Sequence, residues 1–276
     1  MKNDLILCLA RGASRDQTID QTIDQITEPP GDSVREQIQQ YQHLGYCVVP
    51  GLIPAELITA ARQRLDEIID TRPAWSPGRF QDLDPARCPG DAPIAGGIQR
   101  PSLEEDVFSS VAQHTNLAQA MAALLDGAAE LFTDQLGVKY GWNETEQGGR
   151  SYFHQDSWYW KIAPELGCNC WIPLHEVGVD AIALAVMPGS QQGWQLTTHE
   201  SYFDDPAMGR LTDGTFTPFQ RHRIPDTLVD CSQEHLIDML PGDGLFFSNY
   251  TWHRSEPNRT GQTKAFYAIA WQRSAG

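Results

Sequence analysis

The chain has 276 residues and a mass of 30.8 kDa, enough for one large domain with a well-buried core, and its 41% hydrophobic content suits a globular protein. Its 36 acidic residues against 20 basic ones give a net charge of −16 with no Lys/Arg cluster to offset it, which excludes nucleic acid and anionic membrane surfaces as natural partners. No apolar run approaches the roughly 18 residues of a membrane span, the stretch 5–10 is too short for a signal peptide, and six scattered cysteines lack the spacing of a disulfide framework, so the expected setting is a reducing cytoplasm.

In chain order, residues 1–34 stand apart. A four-residue quasi-repeat, Asp16-Gln17-Thr18-Ile19 followed by Asp20-Gln21-Thr22-Ile23, ends at Pro29-Pro30-Gly31, and its polarity predicts a flexible extension. A single domain is expected over 35–276. An amphipathic helix fits 33–44, a short strand 46–50, and a second helix 54–70 with Leu57, Ala61, Leu65 and Ile68 on its apolar stripe. The Pro/Gly-rich stretch 72–101 reads as a long loop, with one or two helices between 103 and 125. Everything after residue 129 is strand-like, with strands expected over 131–142, 150–153, 168–173, 182–186, 236–240, 245–247 and 265–271. Many strands after a helical start, punctuated by Gly/Pro turns, predict a mainly β fold: a double-stranded β-helix (jelly-roll, cupin-like) barrel braced by N-terminal helices. The connection at about 190–235 is too long to be idle and is expected to form a lid-like insertion.

The most informative residues are His154-Gln155-Asp156 and, far downstream, His253. Two imidazoles and one carboxylate occupy one face of a metal ion and leave the other open, a set that suits non-haem Fe(II) oxygenases better than four-coordinate structural zinc. Two residues apart on an extended segment, His154 and Asp156 would point to the same side. The other histidines, at 43, 114, 175, 199, 222 and 235, have no ligand-like spacing to these and read as surface or satisfied polar groups. Cys168 and Cys170 share one face of a strand, where small buried thiols are the ordinary reading and soft-metal ligation the rarer one.

The HxD, the strand Cys168-Asn169-Cys170-Trp171-Ile172-Pro173-Leu174, the turns Pro188-Gly189-Ser190 and Pro241-Gly242-Asp243, and His253-Arg254-Ser255-Glu256-Pro257-Asn258 together resemble the phytanoyl-CoA dioxygenase (PhyH-like) family of Fe(II)- and 2-oxoglutarate-dependent oxygenases, over roughly residues 35–273. The resemblance implies Fe(II), 2-oxoglutarate and O2 as cofactor and co-substrates, with His154, Asp156 and His253 as metal ligands and catalytic centre. It also implies a basic residue, usually arginine, on the strand after the distal histidine to hold the far carboxylate of 2-oxoglutarate. Lys264 stands there, a point charge without the bidentate fork of a guanidinium. Ser255 matches the assisting hydroxyl, Arg259 is a reserve cation, and Gln135, Lys139 and Trp171 resemble positions near the co-substrate.

Trp158, Tyr159 and Trp160 are candidates for the wall of a substrate pocket, with ordinary packing as the alternative. In halogenating relatives the carboxylate ligand is replaced by a small residue, so Asp156 makes hydroxylation of a small molecule the expected reaction, while desaturation, epoxidation, cyclisation and epimerisation stay open. Two other readings stay open: a jelly-roll metalloenzyme without 2-oxoglutarate (lyase, isomerase or direct dioxygenase) and a non-catalytic ligand-binding protein. A monomer or homodimer is expected.

Overall fold

The computed structural model describes residues 32–90, 92–142 and 149–274, so most of the expected extension, residues 1–31, lies outside the described residues. In chain order the elements are α1 (Asp32–Leu44), β1 (Tyr46–Val49), α2 (Ala55–Thr71), β2 (Phe80–Leu83), β3 (Ala95–Gln99), α3 (Asp106–Ala112), α4 (Thr115–Leu124), β4 (Ala129–Lys139), α5 (Ser157–Trp160), β5 (Gly167–Pro173), β6 (Leu184–Val186), β7 (Glu200–Tyr202), β8 (Met208–Thr212), β9 (Thr215–Pro218), β10 (Arg221–Arg223), β11 (His235–Ile237), β12 (Gly244–Ser248), β13 (His253–Ser255) and β14 (Lys264–Arg273). No helix among the described residues is long and apolar enough to cross a membrane.

A nine-stranded sheet runs β1-β12-β5-β14-β4-β3-β2-β8-β9, and a three-stranded sheet, β11-β6-β13, faces it. After β4 the chain alternates between the two, β5 to β6, β11 to β12, β13 to β14, which is the jelly-roll pattern. The expected fold class holds, with one correction: the sheets form an open sandwich and do not close into a single hydrogen-bonded barrel. Each inner strand separates its two faces. On β5, Cys168, Cys170 and Ile172 face a core built with Ile58, Leu65 and Ile68 of α2 and with Phe108, Leu117 and Met121. Trp171 turns the other way, toward Leu184, Leu245 and Phe247 between the sheets. Cys168 and Cys170 are therefore core thiols, both free and both buried. At about 1.5–3 kcal/mol for each large aliphatic side chain removed from water, the helix-backed face is the main source of stability.

Three stretches bear on the sequence-based expectation. Residues 72–101 are not one loop: β2 and β3 pair in antiparallel fashion and extend the large sheet past β4. The expected lid-like insertion is tied to its surroundings at both ends. Its β8 pairs with β2, its β7 pairs with β10, and Glu234 near its end makes a two-pronged ion pair with the buried Arg254 at 2.8 and 2.6 Å. Finally, the 150–153 strand is reduced to single contacts: Ser151 N–H donates to the Ser255 carbonyl at 3.2 Å, and His154 exchanges backbone hydrogen bonds with His253 at 3.1 and 3.2 Å.

Gly45 shows how the helical brace is tied to the site. It ends α1 with φ +82°, its N–H returning to the Tyr41 carbonyl at 2.8 Å, and its own carbonyl accepts from Ser248 N–H at 3.0 Å and Thr251 Oγ1 at 2.8 Å. A Cβ there would stand 2.4 Å from Gln191 Oε1 and 2.5 Å from Thr251 Oγ1. Gly45→Ala therefore combines a left-handed backbone with an overpacked contact, and a loss of about 2–4 kcal/mol is expected in denaturant unfolding. An unchanged midpoint would show that the two loops yield freely.

Candidate metal centre

His154 reaches the space between the sheets from the segment that bridges to His253 on β13, so one backbone pairing brings the two imidazoles together, with ring centroids 4.3 Å apart. Asp156 arrives differently from the expected extended geometry. Its backbone is helical (φ −64°, ψ −34°) and it opens the one-turn helix α5, so the HxD spans the junction between a bridge and a helix. His154 Nε2 lies 3.8 Å from one Asp156 oxygen and His253 Nε2 3.6 Å from the other. Among the described residues this is the one group of three or more His, Cys, Asp or Glu side chains with ligand atoms all within 4.8 Å of one another.

The neighbours of these side chains fit a metal. His154 donates Nδ1–H to the Tyr152 carbonyl at 2.8 Å and His253 donates Nδ1–H to the Thr251 carbonyl at 3.0 Å, a tautomer assigned from those partners. Each Nε2 lone pair is thereby left facing Asp156, the outer-shell arrangement of metal-bound histidines. Burial, then the neighbouring His253, pushes His154 down to about 3, and burial pushes His253 to about 4, so both rings are neutral and available as ligands across the physiological range. Burial raises Asp156 to about 6, against the pull of His154 and the Asn169 amide. Asn169 Nδ2 donates to Asp156 Oδ2 and fixes the carboxylate from β5. Asn169→Leu should weaken iron binding by about 10- to 100-fold, the usual effect of losing an outer-shell partner. Equilibrium dialysis measures this, and unchanged affinity would remove Asn169 from that role.

One cavity contains the triad and is walled by both sheets and the insertion. Its lining includes Lys139, Ser255, Gln135, Trp171 and Trp160 from the sequence-based candidates. Lys139, at the end of β4, donates to Ser255 Oγ at 2.7 Å and to the Glu256 carbonyl at 2.6 Å, while Ser255 Oγ also meets Ser151 Oγ at 2.9 Å. Burial pushes the Lys139 ammonium down to about 7, against Glu256 and Asp204, which hold it up. Gln135 accepts from Gln99 at 2.9 Å, and Trp171 stacks on Phe266 with its Nε1 buried and without a partner among the described residues.

The other candidates are placed elsewhere. Lys264, the expected anchor, does not line the cavity. It is the cross-strand partner of Lys139, and two ammonium groups on one face repel, so it leaves toward the Glu176 carbonyl, 3.5 Å away. Arg259 is a surface cation 3.5 Å from Asp180. Trp158 stacks on His199 at 4.3 Å, and Tyr159 bonds the insertion through its hydroxyl, so of the three aromatic candidates only Trp160 lines the cavity. His199 accepts from Gln155 N–H at 3.2 Å, a satisfied polar group as expected. The sequence reading missed Asn169, Ser151, Asp204 and Arg221; for Asn169 the available signal was its register between Cys168 and Cys170, which turns it inward.

Residues 41–266 match the profile of the family described as phytanoyl-CoA dioxygenase (PhyH). No curated protein matches the sequence. Among solved structures, EctD from S. alaskensis, determined with 2-oxoglutarate and 5-hydroxyectoine, is similar at 16% identity and a TM-score of 0.66, over 90% of this chain and 79% of that one. EvdO2 from Micromonospora carbonacea var. aurantiaca, complexed with 2-oxoglutarate, is similar at 18% identity and a TM-score of 0.62, over 94% of each chain. The α-ketoglutarate-dependent epimerase SnoN from nogalamycin biosynthesis is similar at 16% identity and a TM-score of 0.61, over 87% of this chain and 81% of that one. At these identities the likeness shows the shared fold.

Proposed function

On the premise that the chain belongs to the phytanoyl-CoA dioxygenase family of non-haem iron, 2-oxoglutarate-dependent enzymes, we propose that it is an oxygenase that hydroxylates an unactivated C–H bond of a small molecule, with release of succinate and CO2. The observation that supports this best is the convergence of two Nε2 atoms and one carboxylate in a cavity that is also lined by the partly buried Lys139. When bound, the iron together with 2-oxoglutarate and O2 supplies the oxidising chemistry. His154, Asp156 and His253 hold the metal. Lys139, with Ser255 and Ser151 beside it, receives the far carboxylate of 2-oxoglutarate, and this role replaces the one expected of Lys264. Trp171 Nε1 and Asn169 Oδ1, buried without partners among the described residues, offer a donor and an acceptor next to the same space. Phe247, whose ring lies 4.5 Å from that of His253, and the Trp171–Phe266 stack keep water from the metal side of the cavity. Retention of Asp156 favours hydroxylation over halide transfer.

The test is anaerobic addition of Fe(II) and then 2-oxoglutarate to the apoprotein. The weak visible charge-transfer band of the chelate should develop, and admission of oxygen should yield succinate. A band-free protein that produces no succinate would overturn the proposal and favour a metalloenzyme or binding protein that does not use 2-oxoglutarate.

A pH dependence follows from Lys139. Its charged form prevails below about 7 and is lost above it. A dianionic co-substrate binds the charged form, so its Kd should be flat below pH 7 and rise above it, by at most about tenfold per unit, with proton uptake on binding climbing from none below pH 7 toward one above it. Calorimetry in two buffers of different ionisation enthalpy measures that proton, and a flat Kd from pH 7 to 9 without proton uptake would exclude a titrating anchor.

A further inference from the structure

Arg221 lines the cavity alongside His154 and Asp156, yet the proposed reading gives it no part in holding metal or co-substrate. It comes from β10 of the insertion, and the backbone beneath it is pinned to the metal-binding segment on both sides. Tyr159 Oη accepts from His222 N–H at 2.8 Å and donates to the His222 carbonyl at 3.0 Å, while Ile224 N–H donates to the Phe153 carbonyl at 2.7 Å. The Tyr159 ring lies 6.4 Å from that of His154 and 5.8 Å from that of His222, so the residue next to Arg221 is held one side chain away from a metal ligand.

The guanidinium is only partly engaged by its neighbours: the Tyr202 hydroxyl lies against it, and its Nε is left without an acceptor. The Asp204 oxygen nearest its Nε is 3.7 Å away, beyond hydrogen-bond length, and both atoms are buried without a hydrogen-bond partner among the described residues. A buried charged N–H without an acceptor is costly, and a ligand that supplies the acceptor removes that cost. Charge points the same way. The metal, Asp156, Lys139 and dianionic 2-oxoglutarate sum to zero, which leaves Arg221 and Asp204 as a loosely matched pair in the same cavity. Around them Leu83, Trp160, Pro206 and Met208 supply apolar surface.

We infer that Arg221 is a specificity-determining residue that receives the carboxylate of the primary substrate, a small molecule with an anionic head and an apolar body. The planar guanidinium holds the head, and Asp204 balances its charge when no substrate is present. The inference rests on the proposed oxygenase reading and deepens it.

The test uses the full-length protein loaded anaerobically with Fe(II) and saturating 2-oxoglutarate, and two probes of matched shape, phenylacetate and phenylacetamide, followed through their perturbation of the visible band. In the wild type the acid should act at about 10- to 100-fold lower concentration than the amide, the span of one charged hydrogen-bonded contact. R221Q should respond to both probes alike, R221K should keep part of the preference, and D204N should strengthen it. Equal response to acid and amide in the wild type, or an undiminished preference in R221Q, would overturn the inference. So would R221Q needing far more 2-oxoglutarate to form the band, because the arginine would then serve the co-substrate, although the oxygenase reading would stand. Absence of the band from the wild type would overturn that reading and this inference with it. If R221Q does not fold, judged by thermal unfolding, a D204N variant whose acid preference is not strengthened overturns the inference independently.

Discussion

His253→Ala should lose turnover entirely and most of its iron affinity while keeping its fold. The imidazole is one of three proposed ligands, and the two that remain, His154 and Asp156, would leave a site with too few donors to hold Fe(II) against water. The loss should exceed the 10- to 100-fold typical of an outer-shell partner. The fold should survive because the structural role of position 253 lies in its backbone: the paired hydrogen bonds with His154 at 3.1 and 3.2 Å involve no side-chain atom and persist in alanine. The ring itself contributes little to folding, since burial disfavours its charged form and its Nδ1 bond to the Thr251 carbonyl satisfies only a group that disappears with it. His154→Ala should behave alike, and in turnover the double variant should be no worse than either single one, because the residues act as a unit. Metal content after anaerobic dialysis, succinate formation and thermal unfolding measure the three parts separately. A His253→Ala protein with wild-type iron content and activity would place the metal elsewhere.

The parts of this site legible in the sequence are those whose chemistry is written in residue type. An HxD with a distant histidine names a candidate ligand set, and the family resemblance pointed to Trp171, which lines the cavity. The parts that were not legible depend on distances no local pattern encodes. Arg221 and Asp204 sit in an insertion with no motif, and they reach the cavity only because Tyr159 ties β10 to α5. The strands β2 and β3 were hidden by Gly96-Gly97 and the prolines around them, which lower strand propensity, while sheet pairing with β4 overrides it. Asp156 was assigned to an extended segment because spacing alone does not reveal a helix of one turn. Lys264 was placed by its resemblance to the usual arginine position, which does not reveal where along the strand the cavity ends. Lys264 begins β14, beyond the cavity, and Lys139 opposite already fills the inward space.

That last difference carries the other large effect expected. Lys139→Ala should raise the 2-oxoglutarate requirement by about 10- to 1,000-fold, on the order of 1.5–4 kcal/mol, as when one member of a buried charge-assisted pair is removed. The effect should fall on KM for 2-oxoglutarate, measured with iron saturating, because Lys139 touches Ser255 and the Glu256 carbonyl and none of the metal ligands. Ser255→Ala should cost less, since Lys139 keeps its other partner and its charge. Lys139→Arg should not restore the wild type: the ammonium is seated between Ser255 Oγ at 2.7 Å and the Glu256 carbonyl at 2.6 Å, and the wider planar guanidinium cannot reproduce that point-charge geometry. Lys264→Ala, by contrast, should leave the 2-oxoglutarate requirement within about twofold, because a partly exposed ammonium facing a carbonyl contributes little. The pair of single variants decides between the two lysines without any knowledge of the substrate. A large rise in Lys264→Ala with none in Lys139→Ala would return the anchor to β14, and it would mean that 2-oxoglutarate draws Lys264 into the cavity on binding.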